Sequence, residues 1–285
     1  MTTSVRAHST TLGQGAWRAA GSLALFGALL LAVLQAPVAA AASASVQLED
    51  LTSFELRARI ADGATTALLP IGGTEQNGPH MALGKHNTRA HVLAGRIAAA
   101  LGNALVAPVL SYVPEGRIAP PTEHMRFAGT ISIPEETFKS VLDAAARSFA
   151  QHGFRDVVLV GDHGSYQHLL AAVAARLNRD WAATPARAHF IADYYRAAQA
   201  PYIQALRAKG LTEAQIGTHA GAADTSLLMA VDASGVRSDQ MPRAGTAAGV
   251  SGDPRAASAE LGKLGVDLIV THSVAAIRSA IAARR

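Results

Sequence analysis

Three short polar stretches of this 285-residue chain gather side chains that can hold metal ions or move protons. Glu75, Asn77, His80 and His86 lie in the first, Asp162 and His163 in the second, His219 and Asp224 in the third. Neutral imidazoles and carboxylates are ligands for zinc, manganese and iron, and the same groups serve as general acids and bases. Cysteine is absent, so nitrogen and oxygen donors alone must hold any metal. Taken singly, a loop histidine is more often a surface or hydrogen-bonded structural residue, and an Asp near a helix start is usually a cap. The competing motifs are missing after residue 44: there is no H-E-x-x-H, G-x-S-x-G, P-loop or G-x-G-x-x-G.

These stretches need elements to position them. Thr52-Ser53-Phe54-Glu55 reads as a capping box opening a short helix to about Ala61, closed by Gly63. Thr66 to Ile71 is a continuous apolar run that suits a strand buried on both faces, and the first polar stretch follows it directly. Asn87 or Thr88 is expected to cap the next helix, in which Val92, Leu93, Ile97 and Leu101 recur at helical spacing. Ala104 to Leu110 reads as a strand, and Ser111 to Gly129 as a Pro-rich loop long enough to be an active-site segment. Pro134, Glu135 and Glu136 open a helix that reaches about Gln151. Asp156 to Val160 is the clearest buried strand, and Asp162 and His163 stand just beyond it, before a helix from about Tyr166 to Leu177. A further strand is expected at Ala188 to Ile191, and the remainder is mainly helical, over Gly221 to Val231 and Ala256 to Ala282. Alternating strands and helices predict an α/β fold with a mostly parallel sheet, whose functional loops gather at the carboxyl ends of the strands.

With 49% hydrophobic and 16% charged residues, the chain is far too apolar for disorder. The N-terminus reads differently from the rest. Arg6 and Arg18 precede an apolar run from Ala19 to Leu34, and Ala42-Ser43-Ala44 offers an A-x-A cleavage site. Residues 1–44 are therefore expected to be a secretory signal peptide and residues 45–285 one α/β domain, periplasmic or secreted; an uncleaved membrane anchor is the alternative. Setting Arg6 and Arg18 aside lowers the net charge from +4 to +2, and no aromatic-interleaved basic patch remains to track a phosphate backbone. Neither nucleic-acid binding nor, once the signal is removed, stable membrane association is expected.

From about Leu48 onward the sequence resembles the creatininase family. Leu69-Pro70-Ile71-Gly72-Gly73-Thr74-Glu75-Gln76-Asn77-Gly78-Pro79-His80 is similar to that family's L-P-x-G-S-T-E-Q-H-G-P-H signature. Glu123-His124 with Phe127-Ala128-Gly129-Thr130-Ile131-Ser132 resembles E-H-x-x-F-P-G-T-I-S, Gly161-Asp162-His163-Gly164 stands at the N-G-H-G loop, and His219-Ala220-Gly221 with Asp224-Thr225-Ser226 resembles H-A-G-x-x-E-T-S. The resemblance implies a three-layer α/β/α sandwich, a homo-oligomer, and a two-metal site that hydrolyses cyclic amides, formamides or peptide ends.

Three departures alter that expectation. Asn77 replaces the His of the E-x-H pair, His86 replaces the Asp that bridges two metals, and Asp224 replaces the Glu of the H-A-G motif. A carboxylate can bridge two cations, whereas an imidazole nitrogen offers one lone pair and cannot. The expectation is one divalent metal per chain, zinc favoured and manganese or iron as alternatives, held by Glu75, His86 and His163. The resemblance gives His219 general acid/base work. Asp224 is read as an orienter of His219, a base, a fourth ligand, or simply a helix-start residue. Glu123 and His124 are read as pocket lining or ordinary loop polarity, and His80 as a loop hydrogen-bonding residue. The expected activity is metal-dependent hydrolysis of a C–N bond in a small amide-type substrate, creatinine not being privileged. A catalytically inactive relative with a ligand-binding or assembly role is the other reading.

Overall fold

The computed structural model describes residues 45–283, so the expected signal peptide lies outside the described residues. The first helix, α1 (Ser53–Ala61), begins with the capping box: the Glu55 amide donates to the Thr52 hydroxyl and the Thr52 amide donates back to the Glu55 carboxylate at 2.7 Å. Then come β1 (Thr66–Ile71), α2 (Lys85–Leu101), β2 (Ala104–Val106), α3 (Glu135–Gln151), β3 (Asp156–Gly161), α4 (Gln167–Asp180) and β4 (Arg187–Phe190). The helices α5 (Ala192–Gln199), α6 (Pro201–Ala208), α7 (Glu213–Ile216), α8 (Ala222–Val231) and α9 (Ala259–Ala283) complete the chain.

All four strands run parallel in the order β2-β1-β3-β4, with Thr66 opposite Ala104 on one side and Asp156 on the other. Alternate side chains of the buried strands meet different helical layers. Leu68, Val106, Val158 and Val160 pack with Leu93 and Ile97 of α2, Tyr194 of α5 and Ile269 of α9. Leu69, Ile71, Val157 and Leu159 pack with Phe138 and Leu142 of α3 and Leu170 and Leu177 of α4. The result is the three-layer α/β/α sandwich. Helix α9 is long and apolar enough to cross a membrane by length and composition, and one face of it packs on α8, α5 and α2.

Two boundaries depart from the sequence reading. The strand expected over Ala104 to Leu110 stops at Val106; the Ala107 amide still donates to the Leu68 carbonyl at 2.8 Å, but the next bond to β1 comes three residues later, from the Leu110 amide to the Pro70 carbonyl at 3.0 Å, with a single bridge from Leu110 to Ile71. Helix α2 starts at Lys85 on Gly84, not after a cap at Asn87 or Thr88. The Asn87 side chain is spent elsewhere, accepting from the Gly73 amide at 3.0 Å and donating to Thr74 Oγ1 at 3.2 Å. His86 is consequently fixed in the first turn of a helix and not in a loop. Chain order reverses between β1 and β3, and the crevice at their carboxyl ends is where an open parallel sheet places its site.

Candidate metal centre

Glu75 leaves the carboxyl end of β1 fully buried, and its two oxygens meet different neighbours. Oε1 lies 2.8 Å from His86 Nε2 and 3.3 Å from Lys85 Nζ. Oε2 has no hydrogen-bond partner. It faces His124 Nε2 at 3.2 Å and His163 Nε2 at 3.5 Å. An unpaired buried carboxylate oxygen is costly, and a cation shared with two imidazoles would remove that cost. One donor atom from each of Glu75, His124 and His163 lies within 4.8 Å of the others, so the residues present fit a divalent ion: two imidazoles and a carboxylate, with a position left for water.

The structure brings the sequence-predicted residues to this crevice in different roles. His163, in the turn between β3 and α4, sets its Nδ1 2.8 Å from Ser165 Oγ, which itself donates to the Pro114 carbonyl at 3.0 Å. Nδ1 also lies 3.3 Å from the Ser165 amide, so the turn holds the ring through Nδ1 and presents Nε2 to Glu75; ligation through Nε2 selects the tautomer protonated on Nδ1. Burial pushes His163 down to about 3, so the ring is neutral, as a ligand must be. His86 stands between two carboxylates, with Nδ1 2.5 Å from Asp162 Oδ1 and Nε2 on Glu75. It lies beside His163, ring centroids 5.0 Å apart, but on the Oε1 side of Glu75. Asp162 is further held by Arg89 Nε at 2.8 Å and the Tyr194 hydroxyl at 2.8 Å.

Asp224, in the first turn of α8, is separated from Glu75 by an ammonium: its Oδ2 lies 3.1 Å from Lys85 Nζ, and its Oδ1 accepts from Arg89 at 2.8 Å. It also accepts from the Ala220 amide at 3.0 Å, so it caps the turn that carries His219. Burial opposes ionisation of Asp224, and Lys85 and Arg89 outweigh it, holding the carboxyl well below the usual range. Glu75 is held low in the same way, by Lys85 and the hydrogen bond from His86 against its burial. His219 Nε2 donates to the Gln76 carbonyl at 3.0 Å, leaving Nδ1 3.8 Å from Glu75 Oε1. Burial and the Lys85 charge lower His219 to about 4, so that nitrogen carries a free lone pair at neutral pH. His80 stays out of the cluster and pairs with Thr225 at 3.1 Å. Asn77 turns into its own loop, donating to the Glu75 and Ala82 carbonyls at 2.9 and 3.0 Å.

Four participants escaped the sequence reading as site residues. His124 reads from the sequence as loop lining or loop polarity, although it stands in a recognisable motif. Its Nδ1 lies 3.2 Å from the Gln76 amide nitrogen; ligation through Nε2 selects the tautomer protonated on Nδ1 and gives up that contact. Lys85 and Arg89 sit at the positive end of the α2 dipole, where cations are unfavourable, and that misplaced charge was their signal. Glu115, on the long loop, is buried with neither oxygen hydrogen-bonded, and burial together with the Glu75 charge pushes it up to about 9. Gly73 makes room for it, since a Cβ there would come within 2.6 Å of Glu115 Oε1. Among the described residues, the non-glycine positions with left-handed φ are Glu123 at 49° and Ala220 at 57°, each adjoining a site histidine. A cleft of about 890 Å³ opens beside the centre, lined by Pro114, Arg117, Ile118, Glu123, Pro134 and Ser165.

Comparison with known proteins agrees with this geometry. The family described as creatinine amidohydrolase matches residues 49–277. The mycofactocin precursor peptide peptidase of Mycolicibacterium smegmatis is 29% identical over 209 residues, 70% of this chain and 73% of that protein. The creatinine amidohydrolase of Pseudomonas putida is 33% identical over 121 residues, 42% of this chain and 46% of that one. A crystal structure of creatinine amidohydrolase superposes with a TM-score of 0.70 at 26% identity, covering 84% of this chain and 98% of the other. A manganese form of creatininase gives a TM-score of 0.68 at 26% identity, over 83% of this chain and 98% of that one. Fold, crevice and sequence agree over most of the described chain: it belongs to the creatininase family of metal-dependent amidohydrolases.

Proposed function

We propose that this chain hydrolyses a C–N bond in a small amide-type substrate, a cyclic amide, a formamide or a short peptide, with one divalent ion on Glu75, His124 and His163. The observation that carries the reading is the buried, unpaired Oε2 of Glu75 aimed at two imidazole nitrogens. Zinc is favoured, because two imidazoles and a carboxylate with one open position form its usual hydrolytic set, and manganese is the alternative. When bound, the ion supplies a water acidified toward neutrality and a Lewis acid for the substrate carbonyl.

The chain's own residues do the rest. His219 Nδ1, neutral and unprotonated, takes a proton from the attacking water and returns it to the leaving amine. Glu115, kept protonated by burial, offers an O–H toward the same space. Lys85 and His86 fix the orientation of Glu75 through Oε1, leaving the other oxygen free. The adjoining cleft exceeds the needs of a single small ring and accepts an extended amide. The relatives named for creatinine and for a precursor peptide both act on C–N bonds, which supports the substrate class without choosing within it. Export to the periplasm or beyond, by the N-terminal 44 residues, and assembly into a homo-oligomer belong to the same proposal.

The test is metal analysis of the purified mature chain beside Glu75→Gln and His163→Ala, with turnover measured on a panel of cyclic amides, formamides and short peptides. About one ion per chain, lost in both variants together with turnover, is the expected result. A chain that stays metal-free after reconstitution with zinc, manganese or iron would overturn it. Bound metal with no turnover on the panel would favour a ligand-binding relative.

A further inference from the structure

The turn between β3 and α4 has a neighbour on α5 with a hydroxyl to spare. A Cβ built on Gly164 would come within 2.5 Å of the Tyr195 hydroxyl oxygen and 3.1 Å of its ring carbon Cζ. The missing side chain is therefore what lets the phenol close on this turn, one residue from His163. Tyr195 also shares the lining of a cavity of about 40 Å³ with Arg89, Asp162, Thr218 and Asp224. The phenol thus stands between the turn of His163, assigned to the ion, and the turn of His219, assigned to proton transfer.

Neighbouring tyrosines have their hydroxyls committed. Tyr166 donates to the Ile71 carbonyl at 2.9 Å, Tyr194 to the Asp162 carboxylate at 2.8 Å and Tyr202 to the Ala223 carbonyl at 3.3 Å. The hydroxyl of Tyr195, a partly buried residue, has no hydrogen-bond partner among the described residues. It keeps its proton at neutral pH, since burial and the Asp224 carboxylate push the phenol up from its ordinary value. Lys85 and Arg89 cannot serve in its place, because both are buried and paired with Glu75, Asp162 and Asp224. When an amide is hydrolysed its carbonyl oxygen gains charge, and a fixed donor without a prior partner is the group that stabilises it.

We infer that Tyr195 is a catalytic residue that touches substrate, its O–H donating to the carbonyl oxygen of the scissile amide. As the water oxygen bonds to the carbonyl carbon, the π pair moves onto the carbonyl oxygen, and the phenol holds it without giving up its own proton. The pair re-forms the C=O when the C–N bond breaks, and the amine leaves with the proton carried by His219. The inference deepens the reading above and rests on it: hydrolysis at Glu75, His124 and His163 with His219 as base.

The experiment compares zinc-loaded mature wild type with Tyr195→Phe on whichever amide of the panel turns over fastest. The variant keeps the ring and removes one oxygen that holds nothing within the fold, so zinc content and melting temperature are expected to stay the same. The expected loss is about 100-fold, in kcat and kcat/KM alike, because the interaction strengthens only as charge develops. Inorganic phosphate, a tetrahedral oxyanion, is the probe that needs no turnover: calorimetry on the two zinc-loaded proteins should find it held about 10-fold more weakly by Tyr195→Phe. An unchanged kcat, equal phosphate affinity, or a loss of kcat that comes with lost zinc would overturn the inference. Failure of the earlier reading looks different: a wild type that takes up no zinc and turns over no amide removes the centre, and the role of Tyr195 with it. Zinc bound without turnover leaves phosphate to decide.

Discussion

The first turn of α2 and the loop from Ser111 to Gly129 supply opposite halves of the centre. Lys85, His86 and Arg89 of the helix are buried and fully engaged with Glu75, Asp162 and Asp224. From the loop, neither carboxylate oxygen of Glu115 has a hydrogen bond, and His124 faces a Glu75 oxygen that has none. The helical half is balanced within the protein and holds Glu75 in place. The loop half keeps its unsatisfied groups for something the protein does not itself provide. A site divided this way is preorganised on one side and reactive on the other.

The sharpest way to break the contrast is Glu75→Gln, which strikes both halves. Metal content should fall from about one ion per chain to none and turnover should vanish, as elemental analysis and assay will show. Next in size is Arg89→Met. Two carboxylates, Asp162 and Asp224, then lose a buried partner, and denaturant unfolding should register a loss of about 3–5 kcal/mol. Ser165→Ala acts on the loop side alone: by releasing His163 Nδ1 it should weaken metal affinity by about 10–100-fold with little change in unfolding midpoint.

Acidity separates the halves as well. In the metal-free protein His163 and His219 are lowered to about 3 and about 4, so between those values and about 6.5 the unfolded chain binds protons that the folded one does not. Stability should therefore fall as pH drops from about 6.5 toward 4, and a His219→Asn variant should flatten that slope in urea titrations. The lowered carboxylates Glu75, Asp162 and Asp224 add their own loss only further down, where they begin to protonate. Glu115 behaves in the opposite sense. Raised to about 9, it holds a proton that the unfolded chain releases above about 4.5, so its contribution declines as pH rises through that range. Glu115→Gln should raise the melting temperature of the metal-free protein by about 2–4 °C near pH 8, with the gain shrinking toward pH 5.

Much of the scaffold was legible because its signals are local. The Thr52 capping box and the apolar run of β1 depend on near neighbours in the chain, and both stand where the sequence placed them. The start of α2 was misjudged because Asn87 caps nothing: its amide crosses to Gly73, a contact 14 residues back that no local rule anticipates. The carboxylate and the histidines of the centre were visible by residue type and motif. Their division between the two oxygens of Glu75 was not, since Lys85 and Arg89 acquire their partners only when α8 and the turn after β3 fold against α2. Glu115 gave no sign in a Pro-rich loop, because its unusual state comes entirely from burial beside another carboxylate.

Ser165 ties the loop half to His163 in a way that reaches beyond stability. Its hydroxyl spans from the His163 ring to the Pro114 carbonyl, the residue next to Glu115 in the wall of the cleft. A molecule that pulls this wall inward or pushes it aside also loosens or tightens the imidazole behind it. Filling of the cleft and the grip of the centre are thereby mechanically linked through a single oxygen atom.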